Sequence, residues 1–287
     1  MFPAVIPVAG WGTRSLPASK SIPKEMLCVC NKPVIQYVVE EAAQAGVKRI
    51  IFVNSKGKSS IEDHFDRHPE LESFLKKKSK PDLLKEIQAL STLIEVHSVR
   101  QKEALGLGHA VGVAASMISE SHFFVLLGDE ITDASPSGIQ QLLNTRKVLG
   151  AEAESAGVVM VTKVSDAEVS KYGICELQAG EKSKVSRCIE KPKASDTSSR
   201  WAITGRYLLP RDVFERIVKL GKGSIGEIQL TDALDALAKE GRLYICEFVG
   251  KRLDAGDALG FLEANIYFYL KSDLKDKVKN LLKEYSK

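Results

Sequence analysis

The sequence lacks the features of a membrane, secreted or disordered protein. Its longest apolar runs, at residues 2–10 and 123–127, are too short to cross a bilayer, and no basic stretch precedes the first, so we expect neither a membrane span nor a signal peptide. Only five of the 287 residues are cysteine, at scattered positions that argue against a disulfide framework. Hydrophobic residues reach 44% and the formal charge is only +4, which excludes a disordered chain and gives no sign of a nucleic-acid partner. We expect a globular cytoplasmic protein.

Two common nucleotide-binding motifs are also absent. Residues 4–9 predict a buried strand, and the glycine-rich segment 10–14 that follows predicts a turn, neither strand nor helix. The dinucleotide fingerprint would need glycine at position 15, where the chain has Ser15. Residues 57–59 mimic the end of a Walker loop, but Phe52 stands where its first glycine belongs. Neither motif therefore explains the glycine-rich turn.

Apolar periodicity predicts alternating strands and helices. Residues 34–45 have helical spacing, Gly46 suits the helix end, and residues 49–53 read as a buried strand, which completes a strand–helix–strand unit. Residues 172–207 predict strands and polar loops. Further strands are expected at 94–99, 123–127, 156–164 and 243–249, and helices at 61–90, 108–118, 139–149, 210–220, 230–240 and 258–270. The expected fold class is α/β, with a mixed, mainly parallel central sheet, helices on both faces, inserted strands and a C-terminal helical arm.

We find neither an internal repeat nor a linker. The chain is therefore expected to form a single domain over residues 1–287, with an α/β core at 1–271 and an amphipathic helical tail at 272–287. The tail has an apolar stripe that could dock on its own domain or on a second subunit, and the sequence leaves both possibilities open.

The glycine-rich turn belongs to a longer segment with the chemistry of a phosphate site. It reads Gly10-x-Gly12-Thr13-Arg14-x-x-Pro17-x-x-Lys20-x-x-Pro23-Lys24-Glu25-Met26. The two glycines allow close approach of a ligand to the backbone, the prolines stiffen the loop, and Arg14 and Lys24 supply fixed positive charge. Such a loop suits binding of a triphosphate and neutralisation of a pyrophosphate leaving group.

Two further strand ends carry polar side chains. Asp129 follows the most apolar strand, and ligands of open α/β sheets bind beyond the carboxyl ends of strands, so this carboxylate is placed to bind Mg²⁺. Taken alone, a strand-end aspartate is more often a turn or cap residue. Glu190 and Lys191 end the strand 185–189 before a polar loop, and alone they would form only a surface ion pair.

In combination, these segments resemble the signature of sugar-1-phosphate nucleotidyltransferases, and in detail that of the bacterial UTP–glucose-1-phosphate uridylyltransferase family. The resemblance covers nearly the whole chain. Further matching segments are 31–37, 61–66, 99–101, 105–110, 127–129, 189–192, 205–207, 226–233 and 254–257.

The resemblance implies a Rossmann-like nucleotidyltransferase fold and a Mg²⁺-dependent reaction. A uridylyl group would pass from UTP to α-D-glucose 1-phosphate, giving UDP-glucose and pyrophosphate by in-line attack at the α-phosphorus. By the same resemblance, homo-oligomers (dimer or tetramer) are expected, with no nucleic-acid or membrane partner.

The resemblance also implies roles for particular residues. It assigns catalysis to Arg14, Lys24 and Lys191, and metal binding to Asp129 and Asp254. Sugar contacts fall to Gly173, Glu190 and Gly205. Gln101 would read the uracil edge, and Gly106 would pack near the base where a side chain would clash. The nucleotide-contacting positions are Ala9, Gly10, Gly12, Thr13, Glu25, Gln101 and Gly106.

Some residues depart from the family pattern or have an ordinary structural interpretation. Glu130 stands where relatives often have aspartate, Cys28 and Cys30 are interpreted as buried packing, and His109 is given a structural role. Two alternatives to uridylyl transfer stay open: a related thymidylyl- or cytidylyltransferase, and a catalytically weak paralogue that modulates an active enzyme. The intact Arg14, Lys24 and Asp129 argue against the paralogue.

Overall fold

A mixed nine-stranded sheet forms the centre of the structure, a computed structural model that describes residues 1–221 and 226–286. The strands, in chain order, are β1 (Ala4–Pro7), β2 (Cys28–Val29), β3 (Lys32–Pro33), β4 (Arg49–Asn54), β5 (Glu95–Arg100), β6 (His122–Leu126), β7 (Glu130–Asp133), β8 (Gly157–Lys163), β9 (Gly173–Leu177), β10 (Val185–Glu190), β11 (Trp201–Pro210), β12 (Leu243–Glu247) and β13 (Lys251–Asp254). The helices are α1 (Val34–Gln44), α2 (Ser60–Asp63), α3 (Pro69–Lys77), α4 (Pro81–Ser91), α5 (Leu107–Val113), α6 (Gly138–Val148), α7 (Val213–Lys219), α8 (Leu230–Lys239), α9 (Ala258–Tyr269) and α10 (Lys275–Tyr285).

The sheet is parallel around β1 and antiparallel around β11. Strand β1 lies between β4 and β6, with Val5 opposite both Ile51 and Val125, and β5 extends the parallel group beyond β4. Strand β11 runs antiparallel to β6, β8 and β9, whereas β12 is parallel to β8. The parallel group brings the carboxyl ends of β1, β4 and β6 to one edge, where the glycine-rich segment follows β1.

Both faces of the sheet are covered by helices, as the sequence predicts. Alternate residues of β6 point to opposite faces: Phe123 packs in one hydrophobic cluster and Phe124 in the other, and both are fully buried. Helices α5, α7 and α8 cover the first cluster, and α1 and α6 cover the second. The burial of apolar side chains on both faces explains why the central strands read as continuous apolar runs rather than as alternating patterns.

Three local predictions need correction. The expected helical stretch 61–90 is divided into α2, α3 and α4, because Pro69 and Pro81 each begin a new helix at the position where a missing N–H costs least. The segment 10–14 is predicted to be neither strand nor helix, but its last two residues form a short 3₁₀ helix with Ser15 (Thr13–Ser15). Cys28 is exposed rather than buried, because it lies in the two-residue strand β2 of a hairpin at the surface.

The structure also contains a two-stranded sheet that the sequence does not predict. Strands β7 and β13 pair antiparallel, with Asp254 opposite Glu130. This ladder brings the end of β13 next to the turn that follows β6. It therefore joins two segments more than a hundred residues apart at the edge of the sheet where the glycine-rich segment lies.

The C-terminal arm consists of two helices. Helix α10 contacts α9 of the same chain and leaves Leu274, Leu281 and Leu282 between 40% and 51% exposed. The predicted tail of residues 272–287 thus contains α10, and its last residue lies outside the described residues. None of the helices within residues 1–221 and 226–286 combines the length and the apolar character that a bilayer span requires.

Candidate active site

A cleft of about 520 Å³ opens at the carboxyl ends of β1 and β6. It gathers most of the residues that the sequence assigns to nucleotide and phosphate binding. Those lining it are Ala9, Gly10, Gly12, Thr13, Lys24, Glu25, Gln101, Gly106 and Asp129, together with Trp11 and Leu127. Ligands of open α/β sheets bind at this edge, so the topology and the sequence motif indicate the same place.

Glycine occupies positions 10 and 12 of the loop for different structural reasons. Gly12 has φ 65°, in the left-handed region, and its carbonyl accepts a hydrogen bond of 2.7 Å from Ser19 Oγ. A Cβ on Gly12 would lie 3.1 Å from Ser19 Cβ, so the folded loop itself requires glycine there. Around Gly10, by contrast, a Cβ would meet nothing within 4 Å, and the backbone is open to a ligand in the cleft.

Charged groups from the loop converge on Asp129. Lys24 Nζ lies 2.5 Å from Asp129 Oδ2, and Arg14 Nη2 lies 3.9 Å from the same oxygen. Burial would lower the pKa of Lys24, but the carboxylates of Asp129 and Glu25 raise it above its usual value. For Asp129 burial acts in the opposite direction, and Lys24 and Arg14 prevail and lower the pKa of the carboxyl group. Both groups of the pair are therefore charged at neutral pH.

The second predicted metal ligand, Asp254, lies at the same point. A Cβ built on Gly256 would lie 2.7 Å from Asp129 Oδ2 and 2.9 Å from Asp254 Oδ1. The position is glycine, so both carboxylate oxygens face one small space, which Arg14 Nη2 also borders at 2.9 Å from the same point. Within residues 1–221 and 226–286 no group of three or more His, Cys, Asp or Glu side chains forms a metal site. Two carboxylates beside the glycine-rich loop fit Mg²⁺, which takes its other ligands from phosphate oxygens and water.

Glu25 lines the cleft, but its carboxylate is held by another side chain. Lys58 Nζ donates to Glu25 Oε2 at 3.0 Å and to the carbonyl of Val8 at 2.6 Å. Burial raises the pKa of Glu25 and lowers the pKa of Lys58, whereas their mutual contact opposes both shifts. Lys58 thereby ties the loop to the segment that follows β1, a contact that the sequence did not indicate.

Gln101 is fixed by His109. Its Nε2 lies 2.8 Å from His109 Nδ1 and donates to the carbonyl of Gly106 at 3.3 Å. With both amide hydrogens engaged, Oε1 is the atom that can accept a hydrogen bond from a ligand in the cleft. The structural role expected for His109 therefore takes a specific form, since the imidazole orients the amide of Gln101.

The glycine at position 106 is required by the protein itself. Gly106 has φ 99°, and a Cβ there would lie 2.7 Å from the carbonyl oxygen of Ile228. The two segments are hydrogen-bonded, from Gly108 N to Ile228 O and from Ile228 N to Leu105 O, both at 2.8 Å. The sequence predicts a clash with the base at position 106, whereas the close contact within the structure is with the segment that precedes α8.

A second group, at the ends of β9, β10 and α8, contains two of the predicted sugar-binding residues, Gly173 and Glu190. Thr231 Oγ1 donates to Glu190 Oε2 at 2.6 Å, and Lys191 Nζ lies 3.3 Å from Glu190 Oε1. A Cβ on Gly173 would lie 2.9 Å from Thr231 Oγ1, so Gly173 leaves room beside this carboxylate. Gly205 has φ 65°, and a Cβ there would lie 2.9 Å from Glu130 Cγ and 3.2 Å from Leu127.

Arg252 connects the two groups, and no sequence pattern pointed to it. Its Nε donates to Glu130 Oε2 at 2.8 Å, and its Nη1 donates to Tyr172 Oη at 3.2 Å. The carbonyl of Tyr172 in turn accepts from the backbone N–H of Lys191 at 3.1 Å. Burial raises the pKa of Glu130 to about 7, although Arg252 opposes the shift. Glu130 thus has a defined partner in Arg252.

Three residues that contact the site were not predicted from the sequence, and they differ in whether a sequence pattern could have indicated them. Thr231 lies inside the matching segment 226–233, and Lys58 lies inside the Walker-like segment 57–59, so each had a sequence context. Arg252 lies two residues before the predicted ligand Asp254 on β13, a strand that was not predicted. Its role follows only from the pairing of β7 with β13.

Comparison with known proteins finds similarity over almost the entire chain. A family model described as nucleotidyl transferase matches residues 3–270. UTP–glucose-1-phosphate uridylyltransferase 2 of Staphylococcus saprophyticus is 44% identical over 272 residues, which are 94% of this chain and 92% of that protein. The solved structure of a UTP-bound UGPase from Acinetobacter baumannii is 38% identical, covers 99% of both chains and has a TM-score of 0.88. A UDP-glucose pyrophosphorylase complexed with UDP-glucose is 36% identical over 95% of this chain and 100% of that one, with a TM-score of 0.82.

Proposed function

The chain belongs to the nucleotidyl transferase family, among the UTP–glucose-1-phosphate uridylyltransferases, and on this premise we propose that it converts UTP and α-D-glucose 1-phosphate into UDP-glucose and pyrophosphate. The observation that carries the proposal is the convergence of Arg14, Lys24 and Asp129 at the cleft that the glycine-rich loop forms. The relatives' names supply the substrates: one solved relative is UTP-bound and another is complexed with UDP-glucose.

The proposed chemistry is an in-line displacement at the α-phosphorus of UTP. A phosphate oxygen of the sugar phosphate forms the new P–O bond while the bond to the bridging oxygen of pyrophosphate breaks. Arg14 and Lys24 lie where they would neutralise the triphosphate and the leaving pyrophosphate. The protein thus contributes orientation and charge, and the reaction needs no covalent enzyme intermediate.

Asp129 and Asp254 would hold a divalent cation, for which we propose Mg²⁺. When bound, the cation would withdraw negative charge from the phosphate oxygens around the reacting phosphorus. The support is the donor set, two carboxylate oxygens that both face the space above Gly256. Lys24 keeps one of these carboxylates oriented before substrate arrives, because it contacts Asp129 Oδ2 at 2.5 Å.

The proposed sugar site lies at Glu190 and Lys191. The carboxylate of Glu190 can accept hydrogen bonds from two sugar hydroxyls, and the ammonium of Lys191 is a compact counter-charge for the sugar phosphate. Thr231 orients Glu190 through the 2.6 Å hydrogen bond. Gln101, which lines the cleft with Oε1 free to accept, would bind the N3–H of uracil.

A panel of nucleoside triphosphates against sugar 1-phosphates, assayed for pyrophosphate release with Mg²⁺, tests the proposal. We expect the highest kcat/KM for UTP with glucose 1-phosphate. A clear preference for dTTP or CTP would instead identify a thymidylyl- or cytidylyltransferase. Purified protein that has no turnover yet alters the rate of an active relative would support the regulatory paralogue.

We further propose that the chain is a homo-oligomer, dimer or tetramer, assembled through its C-terminal arm. The support is the apolar stripe that α9 and α10 leave exposed, including Leu262 and Leu281 at 54% and 51%. Sedimentation of the full chain and of Leu281→Glu tests this: the variant should sediment as a smaller species. The cytoplasmic location stays a prediction.

A further inference from the structure

A buried ion pair lies beside the turn that carries Asp129. Arg206 of β11 has no exposed surface, and Glu41 of α1 is 6% exposed. Arg206 Nε and Nη2 donate to Glu41 Oε2 at 3.0 and 2.8 Å, and Glu41 Oε1 accepts from the backbone N–H of Ile139 at 3.2 Å. Burying two charges is costly, and a well-packed apolar pair would often stabilise a core equally well. The pair therefore calls for a reason other than core stability.

Two further hydrogen bonds of Arg206 hold both ends of that turn, besides one from Nη1 to the carbonyl of Gly205 at 3.2 Å. Nη2 donates to the carbonyl of Glu130 at 2.7 Å, and Nη1 donates to the carbonyl of Leu127 at 3.3 Å. Strand β6 ends at Leu126 and β7 begins at Glu130, so these two carbonyls bracket Asp129. A guanidinium is planar and presents its donors in fixed directions, which lets one side chain set the orientation of a whole turn.

We propose that Arg206, itself fixed by Glu41, is a positioning residue that directs the carboxylate of Asp129 toward Lys24 and toward the divalent cation. This inference rests on the proposed function for the role of the cation. Other hydrogen bonds also hold the turn, from Leu127 N to Gly205 O and from Ala255 N to Asp129 O, both at 2.9 Å. The turn can therefore persist without Arg206, but with the direction of Asp129 less restricted.

A purely structural role would have different consequences. Arg242, at the opposite end of the sheet, offers a matched control, because its guanidinium donates to the carbonyl of Ser155 at 2.8 and 3.0 Å and lies 2.8 Å from Asp212. Loss of either arginine fork should lower stability. Only the loss at position 206 should loosen the turn at Asp129.

The experiment compares Arg206→Lys, the apolar replacement Glu41→Met/Arg206→Met, and Arg242→Lys, all in the full chain. Circular dichroism first establishes the temperature range in which each variant is folded. Hydrogen exchange followed by mass spectrometry then reports on the backbone amides of residues 127–130. Pyrophosphate release, measured as a function of Mg²⁺ at saturating UTP, gives the Mg²⁺ concentration for half-maximal rate.

We expect the two position-206 variants to exchange at residues 127–130 at least about tenfold faster than wild type, and to need at least about tenfold more Mg²⁺, with the KM for UTP within about twofold. Arg242→Lys should change neither quantity. Unchanged exchange at the turn, equal effects of the two lysine variants, or failure of both position-206 variants to fold would overturn the proposal. If the wild-type protein releases no pyrophosphate, the proposed function fails, whereas the exchange rates still decide the role of Arg206.

Discussion

Two clefts lie at opposite ends of the central strands, and both contain charged side chains. The larger one, about 640 Å³, opens at the amino ends of β6, β8 and β12 and is lined by Arg211, Asp212 and Arg242. The smaller one, about 520 Å³, opens at the carboxyl ends of β1 and β6. Size alone does not identify a binding site. The arrangement of charge and backbone distinguishes them.

Beside the larger cleft, two arginines and two carboxylates form a network of ion pairs. Arg216 and Arg242 each contact both Asp212 and Glu240, at 2.5 to 3.1 Å, and the arginines lower the pKa of both carboxyl groups. At the smaller cleft, Arg14 and Lys24 both contact Asp129 Oδ2, at 3.9 and 2.5 Å, and the side chain of Arg14 is 59% exposed. An exposed guanidinium beside open glycine backbone is what a polyphosphate needs. The following predictions test this difference.

The largest effect is expected at the two aspartates. Asp129→Asn removes the charge that pairs with Lys24 and would bind the cation, so kcat/KM for pyrophosphate release should fall by about 10³-fold. Its control, Asp212→Asn, removes a carboxylate held by two arginines at the larger cleft. That variant should melt at a lower temperature and keep its activity within about twofold while folded. Equal loss of activity in both would contradict the comparison.

The next effect concerns two glutamates that each accept a threonine hydroxyl at 2.6 Å. Glu190 accepts from Thr231, and Glu176 of the neighbouring strand accepts from Thr197. Glu190→Gln should raise the KM for glucose 1-phosphate about 30-fold and leave the KM for UTP unchanged, because a charged hydrogen-bond acceptor for the sugar is lost. Glu176→Gln should leave both constants unchanged. Initial-rate kinetics with each substrate varied decide the point.

A smaller effect is expected for alanine at two glycines with positive φ. Gly106 lines the cleft and lies close to Ile228 O, whereas a Cβ on Gly180, with φ 81°, would meet nothing within 4 Å. Gly106→Ala should raise the KM for UTP about tenfold, since both strain and a clash displace the cleft wall. Gly180→Ala should cost only stability. An unchanged KM for UTP in Gly106→Ala would show that the segment around Gly106 does not contribute to UTP binding.

The smallest effect on activity is expected at the amino end of β6. His122 is fully buried, and burial together with Arg146 lowers its pKa to about 4. The unfolded chain binds this proton near pH 6.5, so the free energy of unfolding should decline as the pH falls from about 6.5 to 4. His122→Gln should reduce that decline and keep activity within about twofold. Urea unfolding at pH 7 and pH 5 measures both proteins; identical pH dependence would contradict the assignment.

The sequence indicates many of the residues that line the smaller cleft because they lie in a few continuous segments. One apolar run, one glycine-rich loop and the strand-end Asp129 all lie in continuous segments whose periodicity is strong. Residues 10–26 alone predict a phosphate-binding loop, without knowledge of the rest of the fold. The central unit of β1, α1 and β4 follows from the same local patterns.

What the sequence does not reveal depends on contacts between distant segments. Asp254 reaches Asp129 only because two four-residue strands, β7 and β13, pair with each other, and strands so short carry no clear periodicity. Arg206 and Glu41 are 165 residues apart in the sequence. Each is a charged residue in the core, and its burial is explained only by its contact with the other. The partners of Gln101 and Glu190 likewise become visible only in three dimensions.

The most direct test of the account is whether UTP binds at the smaller cleft. The chain has two tryptophans, Trp11, which lines that cleft and is 78% exposed, and Trp201, in β11. In Trp201→Phe, Trp11 is the only tryptophan. Titration of this variant with UTP should give a saturable change in tryptophan emission, with a Kd close to the KM for UTP. The same titration of Trp11→Phe should give no change. Emission that responds through Trp201 alone would contradict the assignment of the nucleotide site.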